Sequence, residues 1–109
     1  MKEIKAYIRK VKVEETVHAL EQIGVTDMTI LDVMEIGREA DPSNLRLSVD
    51  IVEKYARVSK LEIVCSDDRV PHIVKTLKDA ACTGQPGDGI IYVTPVEMAV
   101  KIRTGAPEL

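Results

Sequence analysis

The sequence predicts an α+β fold in which one antiparallel sheet carries two helices on a single face. Three observations predict it. Short alternations of apolar and polar residues recur along the chain, two apolar stripes at helical spacing fall between them, and the order is strand, helix, strand, strand, helix, strand. Ile4, Ala6 and Ile8 alternate with Lys5, Tyr7 and Arg9, which makes a half-buried first strand. Val13, Val17, Leu20 and Ile23 share one helical stripe, and Gly24 supplies the stop. Met28 to Ile36 reads as the second strand. The third runs from about Val58 to Cys65, with Leu61, Ile63 and Cys65 on one face. Ser66 or Asp67 is placed to cap the second helix, and Pro71 is tolerated in its first turn. Val70, Ile73, Val74, Leu77 and Ala81 form that helix's apolar stripe. Ile90 to Thr94 is the fourth strand, and a turn at Pro95 to Ala99 leads to a last short strand, Val100 to Arg103. The order is the ferredoxin-like βαββαβ arrangement.

At 109 residues the chain is one domain, 1–109, with room for one core. It contains no Trp or Phe, so Val, Ile, Leu, Ala and Met must build that core. Two helices cover one sheet face and nothing remains to cover the other, so oligomerisation is the economical solution. With 15 basic and 18 acidic residues the formal charge is −3, which argues against nucleic acid as a partner. No apolar run approaches the ~18 residues of a membrane span. The start lacks an apolar signal core, and Cys65 and Cys82 have no Cys-x-x-Cys spacing, so a reducing cytoplasm is expected. One segment is anomalous. About twenty residues, from Gly37 to Arg57, separate two antiparallel strands, and loops of that length are usually functional or disordered. Leu45, Leu47, Val49 and Ile51 alternate with polar residues, which suits either an ordered arm or a solvated loop.

No catalytic set stands out, and the chain is not expected to be an enzyme. His18 and His72 lie on helices among polar neighbours, and Asp67-Asp68 sits where a helix start favours negative charge. The segment Thr83-Gly84-Gln85-Pro86-Gly87-Asp88-Gly89 is more informative. Its glycines let backbone N–H groups approach an anion closely, and Arg103 in the downstream Arg103-Thr104-Gly105 offers a planar, permanently charged fork. The loop is neither a Walker nor a Rossmann motif. By itself it reads more readily as a plain helix-to-strand turn.

Five ordered segments carry a further signal. Met1 to Arg9, Ala19-Leu20 with Gly24-Val25-Thr26-x-Met28-Thr29, Gly37-Arg38, Lys60 to Val64 with Asp67-Asp68, and Thr83 to Val93 with Lys101 to Gly105 together resemble the PII family of signalling proteins. The stretch from Glu39 to Ser59 resembles it least. The resemblance implies a trimer with sheets facing inward and adenine nucleotides in clefts between subunits. It implies that Thr29 and Val64 contact the adenine, with Glu62 nearby. Gly37 and Arg38 would meet the phosphates, Gly87, Asp88 and Gly89 would give backbone, ribose or phosphate contacts, and Lys101 and Arg103 would reach in from the end of the chain.

The chain departs from that family at several places. Ile90 and Gln85 stand where it usually has basic residues, and Lys101 replaces an arginine, keeping charge but losing the bidentate fork. Val58 replaces the lysine used for 2-oxoglutarate, Glu39 replaces a glutamine that helps hold magnesium, and Ile51 replaces the modified tyrosine. These departures predict ADP or AMP binding at least as tight as ATP, and little response to 2-oxoglutarate. No obligatory cofactor is expected. The long loop would engage a partner such as a transporter or channel. The rival reading is a metal-responsive regulator using Cys65, Cys82, His72, Glu39 or Asp41, against which both cysteines read as small buried hydrophobes. A partner-binding protein with no nucleotide is the remaining alternative.

Overall fold

The computed structural model describes residues 1–35 and 57–108. The loop expected at about 37–57 lies outside the described residues except for Arg57, and with it Gly37, Arg38, Glu39 and Asp41. Four strands form one antiparallel sheet: β1 (Lys2–Arg9), β2 (Thr29–Val33), β3 (Val58–Cys65) and β4 (Ile90–Pro95), in the order β2-β3-β1-β4. Two helices, α1 (Val13–Gln22) and α2 (Val70–Ala81), complete the ferredoxin-like βαββαβ order. Short 3-10 turns at Lys10–Lys12 and Asp67–Arg69 lead into them.

Register explains which residues are inside. Directly paired residues share a face, so Ile4 and Ala6 on β1 stand with Ile63 and Leu61 on β3 and with Val93 and Ile91 on β4. That face meets the helices, and Ile4, Ala6, Leu61, Leu20, Ile73 and Leu77 are completely buried there. The apolar stripe expected on α2 is correct, with Ile73, Leu77 and Ala81 at its centre and Val70 and Val74 at its margin. On α1 the centre is Thr16 and Leu20, while Val13, Val17 and Ile23 flank it. The Thr16 hydroxyl is fully buried and has no hydrogen-bond partner among the described residues. An unsatisfied buried hydroxyl costs about 1–3 kcal/mol, and valine has nearly the same shape. Thr16→Val should therefore raise stability by about 1 kcal/mol, read as a higher urea midpoint at unchanged slope.

The helix ends are settled by backbone geometry. Val25 and Gly24 donate to the carbonyls of Leu20 and Glu21, each at 3.0 Å, which is a Schellman turn. Arg69 adds a 2.6 Å bond to the Ile23 carbonyl and so ties the entry of α2 to the exit of α1. The expected cap at Ser66 or Asp67 is not made; neither side chain bonds the helix start. Asp67 instead accepts from the Met1 ammonium at 2.5 Å, with Lys2 at 4.0 Å, and the Met1 bond holds its carboxyl below the usual carboxylate range.

The expected last strand, Val100 to Arg103, is not formed. Val100 makes an isolated bridge with Pro107, and Lys101 and Glu108 donate to the carbonyls of Ala106 and Ala99. The chain turns back on itself at residues 102–104, so its amides are satisfied within a small hairpin arm rather than by the main sheet. The second strand is also shorter than the expected span of 28–36. The other predicted strands stand where periodicity placed them. Among the described residues no helix is long and apolar enough to cross a membrane.

Candidate functional site

Among the described residues, those singled out from the sequence fall, Arg103 apart, into two groups at opposite ends of the sheet. The first group lines a cleft of ≈ 730 Å³ beside the start of β1. Thr29, Glu62, Val64 and Lys101 all lie in its wall, with Glu3, Met28 and Asp27. Topology brings them together. Thr29 pairs directly with Glu62 across β2 and β3, Glu3 pairs with Val64 across β1 and β3, and the hairpin arm delivers Lys101. Thr29 and Val64 are exposed, and Val64 leaves half of its surface uncovered. The lining mixes apolar side chains (Met28, Val64, Ala99) with a comparable share of polar and charged ones (Glu3, Asp27, Thr29, Glu62, Lys101, Glu108). Arg103 is exposed on the turn of the arm and is not among the cleft's lining residues.

The second group is the glycine-rich loop, and its organiser is Asp88. One carboxylate oxygen accepts from the Thr83 hydroxyl at 2.5 Å and from Arg9 Nε at 3.0 Å. The other accepts the amides of Thr83 and Gly84, each at 2.8 Å. Arg9 Nη2 also donates to the Pro86 carbonyl at 2.6 Å. The Thr83 hydroxyl is the largest cause holding the Asp88 carboxyl far below the usual carboxylate range, and the Thr83 and Gly84 amides and Arg9 add to it. Asp88 was expected to face a ligand; in the structure its carboxylate is engaged in shaping its own loop. Gln85 donates its amide to the Thr83 hydroxyl at 3.2 Å. The amides of Thr83, Gly84 and Gln85 thus turn inward, and Gly87 to Gly89 is the part of the loop whose amides this clasp does not use.

Gly89 sits where the loop enters β4. A Cβ there would lie 1.7 Å from the Tyr7 carbonyl oxygen, and the backbone has φ +103°. Only glycine fits so close a backbone approach. A second, mostly apolar hollow of ≈ 350 Å³ opens beside it, between α2 and β4.

The two groups are far apart within one chain. Glu3 belongs to the cleft and Arg9 holds the loop, and these positions are six residues apart on β1. At about 3.3 Å per residue, that is roughly 20 Å. Between them runs the sheet face away from the helices, where Lys60 meets Glu62 at 3.3 Å and Lys5 meets Glu3 at 3.4 Å. Tyr7 and Tyr92 pack edge to face there at 6.1 Å, with Lys60 5.7 Å from the Tyr7 ring centre.

Of the metal ligands considered from sequence, Glu39 and Asp41 lie outside the described residues, and Cys65, Cys82 and His72 belong to no metal-holding group among those described. Cys65 is buried on β3, and burial pushes its thiol up, whereas Cys82 is exposed beyond α2 rather than buried as expected. His18 and His72 are exposed. Among the described residues no three His, Cys, Asp or Glu side chains are grouped to hold a metal ion.

Comparison with known proteins places this arrangement. The family model for nitrogen regulatory protein P-II matches residues 1–106. The nitrogen regulatory protein P-II of Azospirillum brasilense is 36% identical over 105 residues, covering 96% of this chain and 94% of that protein. That of Pyropia yezoensis is 38% identical over 108 residues, covering 95% and 93%. That of Nostoc punctiforme is 35% identical over 105 residues, covering 96% and 94%. Matched along nearly its whole length and carrying the same order of strands and helices, the chain belongs to the nitrogen regulatory protein P-II family, whose members are signal transducers rather than enzymes.

Proposed function

We propose that this protein is a cytoplasmic sensor that binds an adenine nucleotide between the subunits of a homotrimer and signals through the segment after β2 to a partner such as a transporter or channel. The observation that carries this reading is the separation of the two half-sites. Cleft and glycine-rich loop lie roughly 20 Å apart along β1, too far for one chain to close around one nucleotide. A neighbour's loop, set against this chain's cleft, would complete the site. The base and sugar would lie against Thr29, Glu62 and Val64, and the phosphates against Gly87 and Gly89 of the neighbour, with Lys101 and Arg103 reaching across. Gly37 and Arg38 are assigned to the phosphate side by resemblance alone.

Surface apolar residues support assembly. Tyr92 and Val64 on the open sheet face are each 50% exposed, and Ile102 on the arm is fully exposed. Large apolar side chains left open on a sheet face and on the arm favour cover by another subunit.

Light scattering and calorimetry test the reading together. A trimer is expected at micromolar concentration, with ADP or AMP bound at least as tightly as ATP and little gain from 2-oxoglutarate. Arg103→Ala should weaken ADP binding by about 1.5–3 kcal/mol, because it removes a charge-assisted contact, and Gly87→Val should abolish it. A monomer, or unchanged affinity in both variants, would overturn the proposal.

A further inference from the structure

The cleft beside β1 contains two acidic residues that no phosphate-binding motif would select. Glu3, Asp27, Glu62 and Glu108 all line it, and they are not equivalent. Glu3 is neutralised by Lys5 at 3.4 Å and Glu62 by Lys60 at 3.3 Å. Asp27 and Glu108 are exposed and have no ion-pair partner among the described residues. The Met1 ammonium also lines the cleft, but it is engaged by Asp67. That leaves two carboxylates without an ion pair in a cleft that Lys101 also lines.

A nucleotide is uncharged at its base and sugar and increasingly negative along its phosphates. We infer that Asp27 and Glu108 are specificity-determining residues that admit the uncharged nucleoside end of the ligand and penalise each added phosphate. The inference rests on the nucleotide reading above and deepens it. Two properties of the site support it. Carboxylates accept hydrogen bonds, and a nucleoside's amine and hydroxyls donate them. The same carboxylates repel phosphate, so the ligand's polarity is set by repulsion at one end as well as by attraction at the glycine-rich loop. This discrimination is separate from the loss of cations at Gln85 and Ile90, because it acts from the nucleoside side. Both residues come from segments outside the strands that pair: Asp27 precedes β2 and Glu108 closes the arm.

Charge repulsion has a signature that a local contact lacks: it grows with ligand charge and is screened by salt. The experiment compares adenosine, AMP, ADP and ATP binding by calorimetry to the intact assembly, for wild type and the double variant Asp27→Asn, Glu108→Gln. Adenosine should bind the variant no more tightly than the wild type, since amide oxygens accept the same bonds without the charge, whereas AMP should gain about threefold and ATP about tenfold at low salt. Those gains should shrink at about 0.5 M salt, where the screening length falls to a few ångströms. Lys101→Gln, a separate variant, should move the series the opposite way. A change of equal size for all four ligands, no change, or a gain insensitive to salt would overturn this inference while leaving nucleotide binding intact. Absence of adenine-nucleotide binding by the wild type would overturn both.

Discussion

Gly89→Ala is expected to destabilise the protein by more than about 3 kcal/mol. The new Cβ would lie 1.7 Å from the Tyr7 carbonyl oxygen and 2.8 Å from the Tyr7 carbonyl carbon. Both are backbone atoms of β1, so no side chain can rotate aside. Relief requires the start of β4 to move away from β1, which breaks the pairing of Tyr7 with Ile90 and draws Asp88 off Arg9. The positive φ adds its own cost for an L-residue. Gly84→Ala is the control, since its Cβ would meet nothing within 4 Å. It should cost only the roughly 1–2 kcal/mol of a left-handed alanine. Urea denaturation of the two variants measures the difference, and equal losses would show that the contact with Tyr7 is not what excludes a side chain at Gly89.

Asp88→Asn should cost about 2–3 kcal/mol at pH 7, and the loss should diminish in acid. The amide can still accept on one oxygen, but its NH2 would confront N–H groups on the other side of the clasp. It also gives up the charge that Arg9 meets at 3.0 Å. The pH sign follows from the lowered pKa of Asp88. A carboxylate depressed in the folded state stabilises it above the unfolded value of about 3.9 and loses that contribution as pH falls toward the folded value. Wild type should therefore lose stability below about pH 4 in a way that Asp88→Asn does not, so the gap between them narrows. Asp32, Asp67 and Asp79 also have lowered values, but both proteins carry them and they cancel in the difference. A gap that stays constant from pH 6 to pH 3 would mean that the carboxylate's charge is not what closes the loop.

The parts of the fold visible in sequence were those with local periodicity. The stripe of α2 and the two-residue alternation of β1 and β3 each repeat often enough for the buried face to be read. The centre of α1 was missed because Thr16 is polar, and nothing along the chain marks a threonine as buried. The final strand was misread because Val100 and Ile102 alternate like a strand, while the return through Pro107 depends on pairing with Val100 across the turn. At the site, Thr29, Glu62, Val64 and Lys101 were selected by resemblance, and the fold brings them into one cleft. That Asp88 also shapes its own loop was not legible, because its partner Arg9 lies 79 residues away and sequence proximity carries no hint of that bond. Asp27 and Glu108 were passed over for a related reason: they belong to no motif, and only the fold makes them neighbours of Lys101.

The end of β1 carries two adjacent residues with different duties. Arg9 clasps the glycine-rich loop, while Lys10 accepts responsibility for the flanks of the segment 36–56. Its amide donates to the Arg57 carbonyl at 2.7 Å, and its ammonium meets Asp32 at 3.0 Å, where Ser59 also bonds Asp32 at 3.1 Å. The points where the chain leaves and rejoins the sheet are thus fastened by scaffold residues. The intervening segment need not encode its own attachment. The stretch from Glu39 to Ser59, which resembles the family least in sequence, lies almost wholly between those fastenings. Under the proposed function, partner choice would be written into that segment as a cassette, and ligand sensing would be kept in the frame.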